Sequence, residues 1–180
     1  MKKFFRPLFI LICIFILNGF ASTTEAQLEK LHFNKILGSW DAKGISRNTD
    51  GSWKTDTTQS TWIWYEILNG EAIQDDWYAN VSFENIKEAP SSGTNIRIYN
   101  EDEKKWHMAW IDTNNRKLQT FTAIEDSNSV IMEGKNAQGR DIKIVFYDIA
   151  KDRFSWKQEW TFDGGNTWMT VSKIECYRIE

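Results

Sequence analysis

Cysteine, proline and histidine are nearly absent: the 180-residue chain has two of each. Cys13 lies inside an N-terminal apolar run, so a chain cut behind that run keeps only Cys176. One thiol cannot form an internal disulfide, and stability must come from a packed core. A domain of this size can supply one, since it buries about 70% of its unfolded surface. No Cys/His pair has zinc-ligand spacing, so nothing supports a structural zinc site. No Gly-x-Ser-x-Gly elbow is present to support a Ser/His/Asp triad. A basic excess is also missing. The formal net charge is −3 and no Lys/Arg cluster occurs, which argues against a nucleic-acid partner.

Long apolar runs are missing except at the start. Lys2, Lys3 and Arg6 precede the run Leu8 to Leu17, and small and polar residues follow through Ala21 and Ala26. That three-part plan is expected of a cleavable secretory signal peptide. The run is about half of the ~20 residues that a membrane span needs, so no stable membrane insertion is expected after cleavage. A cut after Ala21 or after Ala26 suits the pattern. The later cut defines a signal peptide over 1–26 and one domain over 27–180, secreted or periplasmic. It removes three basic residues and one acid, which takes the net charge from −3 to −5.

The residue present in excess is tryptophan, ten in all, and every one lies beyond the leader. One short helical pattern, Leu28 to Leu37, places Leu28, Leu31, Ile36 and Leu37 on a shared face. Strand signals follow. Turn residues recur at Asn48–Gly51, Leu68–Gly70, Pro90–Gly93, Asn100–Glu103, Asp112–Asn115, Glu125–Asn128, Asn136–Gly139, Ala150–Asp152 and Asp163–Asn166. Nine turns imply about ten strands. In the clearest, Phe154, Trp156, Trp160 and Phe162 share a face with Gln158 as its one polar member, against Ser155, Lys157, Glu159 and Thr161. Trp106, Met108 and Trp110 alternate with His107, Ala109 and Ile111, which suggests packing on both faces. The expected fold is all-β: an antiparallel up-and-down barrel of about ten strands with a short N-terminal helix, closure being favoured because it removes exposed edges. The stretch Asn85 to Thr94, around Pro90, is expected to form a flap at one barrel end.

Gly38-Ser39-Trp40 lies between the helical pattern and the first strand, where a glycine lets the chain bend and an indole can plug the barrel. With Gly93 to Tyr99, Lys105 to Asp112, Phe146 to Ile149 and Asp163 to Trp168, it resembles a family of exported bacterial lipocalin-like (calycin-type) barrels of unknown function, related to DUF1579. The resemblance implies a barrel with a central cavity and no transferable catalytic residues. Asp163-Gly164-Gly165-Asn166-Thr167-Trp168 also resembles the Asp-box hairpin of sialidases. A single copy in a chain this short reads as a local clasp, since propellers need several repeats.

The candidate ligand contacts are Trp62, Trp64, Glu66, Asp76, Arg97, His107, Trp110, Trp156, Gln158 and Trp160. Glu66 shares strand parity with Trp62 and Trp64, and Asp76 shares it with Gln74 and Tyr78. If they point inward they require partners, for which Arg97 and Arg140 are available. His107, on a strand in a Trp-rich barrel, could serve as a proximal haem ligand, but no motif names a cofactor and none is expected. The leading function is binding of an apolar or amphipathic small molecule in an aromatic-lined cavity. Two alternatives stand beside it. One is a small exported enzyme using Glu66 or Asp76 with Gln158 for proton transfer. The other is a carbohydrate-interacting protein, which requires Trp53, Trp77 and Trp106 to be solvent-facing and coplanar.

Overall fold

Alternating apolar and polar residues between turn signals become ten strands in a computed structural model that describes residues 31–179. The proposed leader and both cleavage sites lie outside the described residues, as do Leu28 to Lys30 of the helical pattern. The strands are β1 (Gly38–Ser46), β2 (Thr58–Ile67), β3 (Ala72–Ala79), β4 (Ser91–Asn100), β5 (Lys105–Asp112), β6 (Gln119–Asp126), β7 (Ser129–Lys135), β8 (Asp141–Tyr147), β9 (Arg153–Trp160) and β10 (Met169–Arg178). Each pairs antiparallel with its neighbours in sequence, and β1 pairs with β10 from Trp40↔Arg178 to Ser46↔Ser172. The result is a closed ten-stranded barrel with no free sheet edge.

Among the described residues one helix, α1 (His32–Lys35), precedes β1. It has no side-chain cap, and its four residues are too few to be stable without tertiary contacts. The barrel supplies those contacts. The Glu125 carboxylate accepts from the His32 backbone N–H at 3.0 and 3.1 Å and from the Trp106 indole at 3.0 Å, and it also pairs with the His32 ring. Phe33, fully buried, stacks on Trp64 with centroids 5.6 Å apart and meets Trp106 and Phe146 edge-on at 5.2 and 5.1 Å.

Trp40 completes this plug. Its indole N–H donates to the Ile36 carbonyl at 2.7 Å, its ring lies 4.7 Å from Phe154, and the Arg178 guanidinium sits 4.1 Å above it. Arg178 also donates to the Leu37 carbonyl at 2.6 Å, tying β10 to the segment entering β1. A glycine is required at 38: its φ is +116°, and a Cβ there would lie 2.5 Å from Arg178 Nη1. One end of the barrel is thereby sealed.

Four sequence expectations shift. The irregular stretch spans 80–90, with a 3₁₀ segment at Phe83–Glu88, while Gly93 and Thr94 lie within β4. Gly93 serves close packing instead of a turn, because a Cβ would overlap the Trp110 ring. On β5 only the inner face packs, since Ile111 is exposed. On β9 the strand ends at Trp160, and Phe162 is 67% exposed in the following loop.

Candidate functional site

Strand alternation gives the barrel interior two layers. The layer at the sealed end is the aromatic plug. Above it lies a cavity of about 430 Å³ that opens at the opposite end, near the loop residues Asn115 and Asn136 to Gln138. Indoles of Trp62, Trp77, Trp110, Trp156 and Trp160 line it together with Phe121, Met132, Ile142, Ile144, Phe146 and Ile174. Two glycines let the aromatic wall close in. Gly134 leaves room for the Phe121 ring, as Gly93 does for Trp110.

The cavity floor carries charge. Asp75 and Arg97 are 0% and 1% exposed and form an ion pair through Asp75 Oδ2 and Arg97 Nη2. The Trp62 indole donates to Asp75 Oδ1 at 2.6 Å. The Arg97 guanidinium lies between two rings, 4.0 Å from the centroid of Trp64 and 4.6 Å from that of Phe33. Such stacking suits a planar, weakly hydrated cation. Burial raises the Asp75 carboxyl above the usual range, and the Arg97 charge with the Trp62 bond pulls it partly back. Burial lowers the Arg97 guanidinium, and Asp75 partly offsets that. Polar atoms are left over: Arg97 Nε and Nη1, Asn95 Oδ1 and the Trp160 indole nitrogen have no hydrogen-bond partner among the described residues.

The ten predicted contacts divide. Trp62, Arg97, Trp110, Trp156, Gln158 and Trp160 all line the cavity. Trp64 lies one layer deeper, 1% exposed, as the surface on which Phe33 and Arg97 stack. Glu66, Asp76 and His107 lie outside the cavity. Glu66 keeps the inward parity of Trp62 and Trp64 but falls near the end of β2, where it is exposed. Asp76 points outward because β3 turns Ile73, Asp75 and Trp77 inward; it accepts from the Tyr65 hydroxyl at 2.9 Å in a shallow outer groove. Burial and Asp76 push Tyr65 up to about 12. His107 is outward because Trp106 and Met108 are inward; its side chain is 43% exposed and pairs with Glu103 at 3.1 Å.

These placements bear on the alternatives. The acid–base reading loses both of its carboxylates to the outer surface, and the haem reading loses its axial ligand. Trp106 is 1% exposed, while Trp53 lies beneath Arg47 at 4.3 Å, so Trp53, Trp77 and Trp106 form no open platform for a sugar. Arg140 sits near the mouth, 4.6 Å above both Trp160 and Phe162, instead of facing a carboxylate.

Sequence reasoning missed Asp75, Asn95 and Gln119. Asp75 and Asp76 are adjacent, so either parity offers a carboxylate; Trp77, two residues on and paired with Trp62, was the signal for the inner choice. Asn95 shares its parity with Arg97, and that was legible once Arg97 was taken inward.

The fold and its cavity define a calycin-type barrel. Among solved structures, an S-type phycobiliprotein lyase from Guillardia theta is similar, with a TM-score of 0.54 and 14% identity over 87% of this chain and 97% of that one. A protein of unknown function from the DUF3598 family of Nostoc punctiforme aligns over 85% of this chain and 99% of its own at 9% identity and a TM-score of 0.26. No protein-family model and no curated protein matches the chain. Among the described residues no helix is long and apolar enough to cross a membrane.

Proposed function

We propose that this chain is an exported small-molecule-binding barrel, holding an apolar or amphipathic ligand in the cavity above the Phe33–Trp40 plug. One observation carries the reading: a cavity of about 430 Å³, sealed at one end and walled by five indoles, with a few polar groups at its floor. That combination is the usual anatomy of a ligand pocket, mostly apolar with a small number of orienting groups. The lyase neighbour supports the fold on which such a cavity is built. Relation to the DUF1579 barrels, and export through cleavage after Ala21 or Ala26, are proposed on the sequence motifs.

Titration with a panel of lipids, porphyrins and flat aromatic compounds tests the reading. An occupant is expected to quench tryptophan fluorescence and to raise the melting temperature by mass action. Ile144→Trp, which places an indole in the cavity, is expected to abolish both responses while the β-rich circular dichroism spectrum persists. A panel that gives neither response in the unsubstituted protein overturns the proposal. Export has its own test: protein recovered outside the cytoplasm should have the mass of the chain lacking residues 1–21 or 1–26, and full-length protein confined to the cytoplasm refutes it.

A further inference from the structure

Among the described residues Asp75 and Arg97 are the only charged side chains lining the cavity, and they are spent on each other. The pair contributes no net charge to an occupant. Its faces are also covered, since the guanidinium is held between Trp64 and Phe33 while Asp75 takes the Trp62 indole. A ligand carboxylate entering this space gives up its hydration and meets no free counter-charge. A third buried charge beside an existing pair leaves one charge uncompensated, the arrangement that burial penalises most.

The other polar lining groups are different in kind. Asn95, Gln119 and Gln158 are carboxamides, which offer both a carbonyl and an N–H₂. Asn95 is 4% exposed with Oδ1 unpartnered, and the Trp160 indole N–H and two Arg97 nitrogens are unpartnered as well. Their placement is two-sided. Asn95 lies on β4 and Gln158 on β9, and these strands stand five positions apart around the ring of ten by either route. Between them, Trp62, Trp77 and Trp110 come from β2, β3 and β5, and Trp156 and Trp160 come from β9, as flat apolar walls.

From this arrangement we infer that the ligand is an uncharged, flat ring compound bearing amide-like carbonyl and N–H groups, which bridge the carboxamides of Asn95 and Gln158 across the cavity. Carboxylated chains and acidic porphyrins are disfavoured. The inference rests on the reading of the cavity as a ligand site, and it chooses among the ligands which that reading allows. Carbonyl oxygens satisfy the free donors of Arg97 and Trp160, and an N–H satisfies Asn95 Oδ1. Both sets are costly to bury unpaired, so a neutral ligand that presents donors and acceptors together gains where an acid cannot.

A matched pair of probes decides the matter. Naphthalene-2-carboxamide and naphthalene-2-carboxylate share one ring system and differ in charge at pH 7. Calorimetric titration of the unsubstituted protein is expected to give tighter binding of the carboxamide by roughly tenfold or more, the scale of one uncompensated polar desolvation. Gln158→Leu, at a half-buried position, is expected to erase most of that preference while parent naphthalene binds as before. Asn95→Leu should do the same, and Gln158→Leu keeps the test open if Asn95→Leu does not fold. Equal or tighter binding of the carboxylate overturns this inference and leaves the cavity a ligand site. Heat and melting shifts absent with all three naphthalenes overturn the inference, and the panel described above then decides the ligand site itself.

Discussion

Asp75 and Arg97 bring opposite charges into a cavity whose other described lining residues are uncharged. Desolvating two ions is expensive, and their attraction repays it only while both are present. Asp75→Asn is therefore expected to destabilise the protein by about 3–5 kcal/mol, because it strands a buried guanidinium. Asp75→Leu combined with Arg97→Met should recover most of that loss, and urea unfolding of the single and double variants checks both expectations. Little loss in the single variant would mean that the rings of Trp64 and Phe33 satisfy the cation alone. Cys176 behaves in a simpler way. It is 1% exposed, and burial pushes its thiol well above the ordinary range. A thiol reagent at pH 8 is expected to label it only at the rate of unfolding, and fast labelling at Cys176 in native protein, located by peptide mass, contradicts the packing described.

At the scale of elements, β4 shows best why part of the site was hidden in the sequence. Ile96 and Ile98 are both 45% exposed, while Asn95 and Arg97, which alternate with them, are buried. Apolar-in, polar-out patterning puts those isoleucines inside. The strand is inverted because its neighbours in register, Asp75 on β3 and Trp110 and Met108 on β5, hold the inner face. The strand count and the hairpin at Asp163 were legible, because turn residues encode their own geometry. There Asp163 Oδ1 accepts from the Thr167 backbone N–H at 2.9 Å and from Thr161 Oγ1 at 2.8 Å, Oδ2 accepts from Thr167 Oγ1 at 2.6 Å, and Gly164 and Gly165 take φ of +71° and +94°. The bonds from Thr167 and Thr161 hold the carboxyl at about 2, below its ordinary 3.8. A depressed folded value gives stability that is present above the unfolded pKa and lost as pH falls through the folded one. The difference in melting temperature between the unsubstituted protein and Asp163→Asn should therefore be constant above pH 5 and shrink between about pH 4 and pH 2. Gly93→Ala tests the other glycine role. Its methyl group would displace Trp110, and a loss of about 1–3 kcal/mol is expected from overpacking, with weaker ligand binding.

For the whole molecule, nine strand pairings join neighbours in sequence and one does not. The order of strands follows from short turns alone, which is why the barrel was readable without knowledge of its interior. The cavity was not so readable, since its volume depends on how ten inner faces meet and on the clearance left by Gly93 and Gly134. The tenth pairing, β1 with β10, joins positions 126 residues apart at Ser46 and Ser172, beside a register shift between Thr170 and Ser172. Local hairpins can form early, whereas this contact must close a loop of nearly the whole domain. Folding should therefore end in a slow zipping step. Changes in the Asp163 hairpin, which forms before that step, are expected to alter how fast the native state is reached, whereas substitutions along the seam that closes last, such as Gly44→Val, mainly alter how fast it is lost, as stopped-flow refolding and unfolding rates check. The circle that hides every edge in the finished molecule is also the last thing the chain completes, and until then two unpaired strands stand open to other chains.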